Sequence, residues 1–237
     1  MVKKLKLSKL PKTWLLDIDG TIIKHNSHLI NENELLPNVK KFWKKIPTKD
    51  KIVILTGTPG IFSGGFDLKV MTKSSESALE LVTKGSKLSL RMLSFPKPII
   101  VACNGHAIAK GAFLLLSADY RIGVQGDFKI GLNEVIIGMT MHHAGIAIAK
   151  SRLSESYLAR SVNNAEIYSV KDAITAGFLD TAVPEDLLLP TAIKVAGMFS
   201  KLNKTAHAAT KLRVRKSHLD ALTQAIQLDS KGSISLS

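Results

Sequence analysis

Residues 99–123, IIVACNGHAIAKGAFLLLSADYRIG, decide how the chain is read. The run Ile99-Ile100-Val101-Ala102 is apolar without alternation and lies between Pro98 and Asn104-Gly105, which predicts a strand buried on both faces. Small residues follow, then an apolar helix from Lys110 to Ser117. A second strand, Tyr120 to Val124, comes at once. A strand, a small-residue loop and a helix start leave backbone N–H groups without intrahelical partners. With the partial positive charge of the helix end, they suit an oxygen that is negative or becoming so. A companion stretch lies upstream. Lys51 to Leu55, KIVIL, predicts another buried strand, and TGTPGIFSGGFDLK (56–69) continues it. Gly57, Gly60, Gly64 and Gly65 allow sharp turns and close approach to a ligand. Two such loops can each give one N–H to a single oxygen.

Working outward, a chain of 237 residues with 45% hydrophobic content has material for a substantial core. Its single cysteine, Cys103, excludes an internal disulfide and fits a reducing, cytoplasmic setting. No apolar run reaches bilayer-spanning length, so no membrane role is expected. The start, MVKKLKLSKLPK, is basic and lacks the apolar region of a secretory leader. A net charge of +14 raises nucleic acid as a partner, but the lysines are scattered and aromatics are only 5%. Little is left for base stacking, so no nucleic-acid role is expected. The basic surface reads as solvated, or as attracting a phosphate-bearing ligand.

Residues 1–12 are expected to form a loose basic arm. Thr13 to Ile18 reads as a strand, and 33–46 as a helix with Leu35, Leu36, Val39, Phe42 and Trp43 on one face. Ser75 to Ser94 is a long amphipathic helix stopped by Pro96. A short strand over Asp127–Ile130 leads into a loop, Gly131–Gly138, that carries Glu134. Helices are expected over 142–150, 155–162 and 171–177, and a strand over 179–183. Three helices (185–202, 205–215 and 217–228) then form a tail ending in a frayed SKGSISLS.

Four segments in register, FSGGFDLK, PKPIIVACNGHAIAKGAF, SADYRIG and GLNEVIIGM, resemble the consecutive signatures of the enoyl-CoA hydratase/isomerase, or crotonase, superfamily. The likeness runs from about residue 51 to 228. It implies an α/β fold of stacked ββα units with a helical C-terminal region: a core over 13–183 and helices over 184–230. It also implies an acyl-CoA substrate, with coenzyme A as part of the substrate and no separate cofactor, and a homotrimer or dimer of trimers.

The resemblance carries over to particular positions. Glu134 matches the glutamate of GLNE that moves a proton in the isomerases, and its apolar neighbours would raise its pKa toward neutrality. The backbone N–H groups of Phe66 and Lys110 would form the oxyanion hole. Gly64, Gly65, Asp67, Leu68, Gly105, Ala109, Gly111 and Phe113 would line the substrate. Where hydratases have a second glutamate this chain has Phe113, which cannot position or deprotonate water. A lone carboxylate can still carry a proton from one carbon to another, so a double-bond shift is preferred over hydration. The family usually has glycine where Lys110 stands. That lysine is expected either to be solvated in the first helical turn, to crowd the pocket, or to meet a phosphate of coenzyme A. Asp67 and Asp119 read as structural.

Other chemistries fit the residues less well. His106, His142 and His143 lack a third ligand at suitable spacing, so no metal site is expected. Ser63 and Cys103 have no His–Asp pair in recognisable context, and TGTPGIFSGG has no P-loop ending. Asp17-Ile18-Asp19-Gly20-Thr21 after an apolar strand resembles the first motif of haloacid dehalogenase-like phosphatases. Asp17 and Asp19 would be nucleophile and general acid around Mg²⁺, and Thr56 the second motif. That likeness stops at Thr56. Hydration, Mg²⁺-dependent phosphate hydrolysis, and a non-catalytic crotonase-fold assembly protein stand as alternatives.

Overall fold

The computed structural model describes the backbone of strand β1 (Thr13–Asp17) and residues 52–232. The basic arm, the helix expected over 33–46, Asp19 and the end of the tail lie outside the described residues.

The apolar runs become a five-stranded parallel sheet. Its order is β1, β2 (Ile52–Thr56), β4 (Ile99–Cys103), β6 (Tyr120–Val124) and β9 (Thr181–Val183). The register pairs Asp17 with Thr56, Ile54 with Ile100, Val101 with Arg121 and Gly123 with Ala182. These strands read as continuous hydrophobic runs because both faces are covered. Successive side chains alternate between the faces. Val53, Leu55, Ile99, Val101 and Cys103 enter the main core. Ile52, Ile54, Ile100, Ala102, Ile122 and Val124 pack on Leu188, Ala192, Val195 and Ala196 of helix α7 (Glu185–Phe199).

A second, smaller sheet runs β3 (Gly60–Ser63), β5 (Gly105–Ile108), β7 (Ile130–Gly131) and β8 (Ile167–Tyr168), with β8 antiparallel. The chain goes from first sheet to second sheet to helix three times. β2 and β3 precede α1 (Leu68–Met71) and α2 (Ser75–Leu93). β4 and β5 precede α3 (Lys110–Leu116). β6 and β7 precede α4 (His143–Lys150), and the short helices α5 (Glu155–Val162) and α6 (Val170–Ala176) follow. These are the stacked ββα units expected from the sequence.

The corners between the sheets are held by Asn104. Its amide Nδ2 donates to Gly57 O at 2.8 Å, and its Oδ1 accepts from Gly57 N at 3.0 Å. One side chain thus completes both backbone groups of the neighbouring corner. Gly105 is required beside it, because a Cβ there would lie 2.0 Å from the carbonyl carbon of Gly60.

Several local expectations are corrected. Residues 56–69 and 104–109, read as loops, contain β3 and β5. Of the strand expected over 127–130, only Ile130 is in a strand. Phe128 turns instead to pack edge-on against His106, with ring centroids 5.3 Å apart, and Lys129 N donates to His106 Nδ1. The tail has two helices rather than three: α7 and one continuous helix, α8 (Lys204–Asp229), which runs through Lys216. No glycine or proline interrupts 204–229, and α8 is pinned at two levels. Asp119 accepts from Lys211 Nζ and from Ile99 N, both at 2.7 Å, and pairs with Arg215. Asp229 accepts from His143 N and Ala144 N at the start of α4. Asp119 is structural, as expected. No helix among the described residues is long and apolar enough to cross a membrane.

Replacing Asn104 with alanine strips both hydrogen bonds from the Gly57 corner. Unfolding free energy is expected to fall by about 2 kcal/mol, read as a lower urea midpoint at unchanged m-value.

Candidate active site

Two glycine-bearing crossings meet at the start of α3. Gly65 adopts a positive φ of 103°, and a Cβ on it would lie 3.0 Å from Ala109 Cβ and 3.5 Å from Lys110 N. A side chain there would be strained and would fill the space before Lys110 N. Gly111 is equally constrained, since its Cβ would fall 2.2 Å from Ser63 O. Ala109, the N-cap of α3, takes the left-handed φ of 51° with no side-chain cap. For a residue with a Cβ this costs about 1–3 kcal/mol. The first-turn N–H of Lys110 and the N–H of Phe66 have no hydrogen-bond partner among the described residues.

Around this junction the expected site residues fall as follows. Gly64 is exposed, Gly65 is buried and Ala109 is half-buried, so the junction lies at the edge of the protein. Asp67 caps the short helix α1, its Oδ1 accepting from Lys69 N at 2.9 Å, and Leu68 is exposed on that helix. Gly105 is committed to the β3–β5 crossing. Phe113 is buried in the main core.

Lys110 corrects the sequence reading. Its side chain is not solvated but turns inward onto α2. It is 4% exposed, and Nζ donates to Gly85 O at 2.7 Å and Ser89 Oγ at 2.6 Å on α2. Gly85 makes this possible. A Cβ there would lie 2.4 Å from Phe66 Cζ and 3.2 Å from Lys110 Cε. The ring of Phe66 and the stem of Lys110 therefore pack together against one bare spot of α2. Gly85 and Ser89 were missed from sequence. The available signal was a glycine inside a long helical pattern, which often marks a close approach.

Glu134 sits in the turn after β7 and is 2% exposed. Its Oε2 has no hydrogen-bond partner among the described residues. Burial pushes its carboxyl up to about 7, opposed by a bond from its own backbone N–H and by the charge of Lys110. Burial likewise pulls Lys110 down to about 7, opposed by the charge of Glu134. His142 is also buried, and burial lowers it to about 4 against the pull of Asp229, so its ring is neutral at neutral pH. It meets Phe113 edge-on, with centroids 5.5 Å apart. The position that would hold a second glutamate in a hydratase is thus filled by two packed rings.

The residues of the metal and nucleophile readings are separated or committed elsewhere, whereas two of the phosphatase reading, Asp17 and Thr56, are neighbours in the sheet. His106 Nδ1 accepts from Lys129 N. Among the described residues no group of three His, Cys, Asp or Glu is placed to hold a metal. Burial raises the Cys103 thiol to about 12, and Ser63 Oγ accepts from Gly65 N. Asp17 pairs with Thr56 across β1 and β2, and the Thr56 hydroxyl donates to Ala102 O at 2.9 Å.

Known proteins resemble this chain over most of its length. The enoyl-CoA hydratase/isomerase family model matches residues 33–235. The crystal structure of an enoyl-CoA hydratase/isomerase family protein from Pseudomonas syringae is 51% identical. It covers 92% of this chain and 91% of that one, with a TM-score of 0.82. An apo enoyl-CoA isomerase from Mycobacterium tuberculosis is 36% identical, covering 84% and 86%, with a TM-score of 0.76. The 2,3-dehydroadipyl-CoA hydratase of Escherichia coli is 27% identical over 74% of this chain and 68% of its own.

The raised pKa of Glu134 has a stability consequence. A carboxyl whose folded pKa exceeds its unfolded value contributes stability below the unfolded value and loses it as pH rises through the folded one. Wild type is therefore expected to lose stability between about pH 4.5 and 7 relative to Glu134→Gln. The gap should widen in the variant's favour by up to about 3 kcal/mol, measured by urea unfolding on either side of that window.

Proposed function

The chain belongs to the enoyl-CoA hydratase/isomerase family, and on that premise we propose that it shifts the double bond of an enoyl-CoA through a thioester enolate, with Glu134 as its single base. The thioester oxygen of a 3-enoyl-CoA accepts hydrogen bonds from Phe66 N and Lys110 N. Glu134 removes a proton from C2. The electrons of that C–H bond delocalise over C2–C4 and the thioester oxygen, where the two N–H donors stabilise the charge. The same carboxylic acid returns the proton to C4, leaving a double bond between C2 and C3. Base and acid are one group, so no water is activated and no metal or redox cofactor is required.

The observation that carries the reading is the state of Glu134. It is a buried carboxyl with one oxygen unpartnered and a pKa of about 7. A base of that strength is half ionised near neutrality and strong enough to take a proton activated by a thioester. Phe113, against His142, supports isomerisation over hydration because it offers no second carboxylate. The substrate is proposed to be an acyl-CoA, and the assembly a homotrimer or dimer of trimers. The exposed Leu187, Leu189, Met198, Leu212, Val214 and Leu228 of α7 and α8 would provide apolar contact area.

With a 3-enoyl-CoA, wild type is expected to form the conjugated 2-enoyl thioester, with kcat/KM falling below about pH 7 as Glu134 is protonated. Glu134→Gln is expected to lose at least about 100-fold in kcat. Full activity in that variant would remove Glu134 from the mechanism, and rapid hydration of a 2-enoyl-CoA would replace isomerase with hydratase. Light scattering is expected to give a mass that is a multiple of three chains. A monomer at micromolar concentration would exclude the proposed assembly.

A further inference from the structure

The mechanism above uses only the backbone N–H groups of Phe66 and Lys110, and gives no role to the seating of both side chains on helix α2. We propose that Gly85 and Ser89 of α2 are positioning residues: they hold the Phe66 ring and the Lys110 side chain at one place and so aim the two N–H groups at the thioester oxygen. This rests on the reading of Phe66 N and Lys110 N as the oxyanion hole.

The backbone beside each donor does not fix its direction unaided. Phe66 N follows Gly65, whose φ of 103° lies where glycine moves freely. Lys110 N follows Ala109, whose φ of 51° and ψ of −119° are strained, with no side-chain cap on α3. Such conformations persist only where the surroundings over-determine them. Here the surroundings are one face of α2. Ala78, Val82, Gly85 and Ser89 fall at helical spacing and form a single stripe. Phe66 packs with Ala78 and Val82 at one end of it. At its middle, a Cβ on Gly85 would lie 2.4 Å from Phe66 Cζ and 3.2 Å from Lys110 Cε, so both side chains reach that spot. Lys110 Nζ then donates to Gly85 O at 2.7 Å and, at the far end, to Ser89 Oγ at 2.6 Å.

Helix α2 is a firm seat. It runs for 19 residues, is capped by Ser74, and buries Leu88, Met92 and Leu93 in the main core. A group supported by such an element is held more closely than one left to a loop. In both cases the seated side chain belongs to the residue whose N–H is the donor, so fixing it fixes the Cα next to that donor. The anchor does not depend on the charge of Lys110. Burial pulls its pKa down to about 7, so ammonium and amine coexist near neutrality. Two hydrogen bonds need two N–H groups, and the neutral amine keeps two.

The test reads the carbonyl directly. A saturated acyl-CoA carrying carbon-13 at its thioester carbonyl is bound to the protein, and its C=O stretch is followed by infrared difference spectroscopy. Two aimed donors lower that frequency in wild type relative to free thioester. In Lys110→Met, which keeps the backbone N–H and loses the anchor, about half of the lowering or more is expected to disappear. With a 3-enoyl-CoA, kcat is expected to fall about 10- to 100-fold in that variant, with KM little changed, because the hole acts mainly on the transition state. Ser89→Ala, with Gly85 O still holding Nζ, is expected to lose about 3-fold. The double variant should lose no more than Lys110→Met alone, since both changes break one anchor. Gly85→Ala keeps the proposal testable if Lys110→Met does not fold. Alanine is the better helix former, yet its Cβ displaces both seated side chains, so a loss of about 10-fold in kcat is expected. A wild-type carbonyl shift and kcat retained in folded Lys110→Met or Gly85→Ala overturn the proposal. So do multiplying losses in the double variant. A carbonyl unshifted in wild type removes the oxyanion hole itself, and the anchor with it. If the shifts behave as expected while wild type isomerises no enoyl-CoA, the anchor stands and the proposed reaction falls.

Discussion

The contact on which the site depends is the approach of the 63–65 backbone to the 109–111 backbone. It works only because side chains are absent. Cβ atoms on Gly65 and Gly111 would enter space occupied by Ala109 and by Ser63 O. The N–H groups of Phe66 and Lys110 have no partner among the described residues: Lys110 N lies in the first turn of α3, where no preceding turn can accept from it, and Phe66 N follows the turn at Gly65. The rest of the fold keeps the two crossings in register. β2 and β4 pair in parallel, Asn104 ties their corners together, and β3 pairs with β5 beyond. The strained φ of Ala109 is the local cost of starting α3 at that point.

Around this junction the protein buries groups that water would normally solvate. Glu134, Lys110 and His142 are all at least nine-tenths buried, and desolvation moves each toward its neutral form. The mutual attraction of Glu134 and Lys110 opposes that drift. A base stronger than an ordinary glutamate is the chemical result. The C-terminal helix takes part from a distance: Asp229 caps α4, whose own N-cap residue is His142.

Much of this was legible in the sequence. The buried strands at 52–56, 99–103 and 120–124 announced themselves as unbroken apolar runs, and the helix at 75–93 by its period. The four family segments fixed their order and singled out Glu134, Phe66 and Lys110. The short strands β3 and β5 were not legible, because four residues containing glycine carry no alternation and become strands only by pairing with each other. The direction of the Lys110 side chain was hidden for a related reason. A lysine in a first helical turn is ordinarily solvated, and only the bare surface of Gly85, 25 residues upstream, draws it inward. The unbroken run of α8 through Lys216 was obscured because its polar sequence gives almost no periodic signal, while its anchors Asp119 and Asp229 act across long sequence separations.

The most direct measurement is a structure of the protein with an unreactive acyl-CoA thioester bound. The account predicts the thioester oxygen at about 2.7–3.1 Å from both Phe66 N and Lys110 N, with the Glu134 carboxylate against the carbon next to the carbonyl. A thioester bound with its oxygen away from those two amides, or with Glu134 on the far side of the acyl chain, would contradict it.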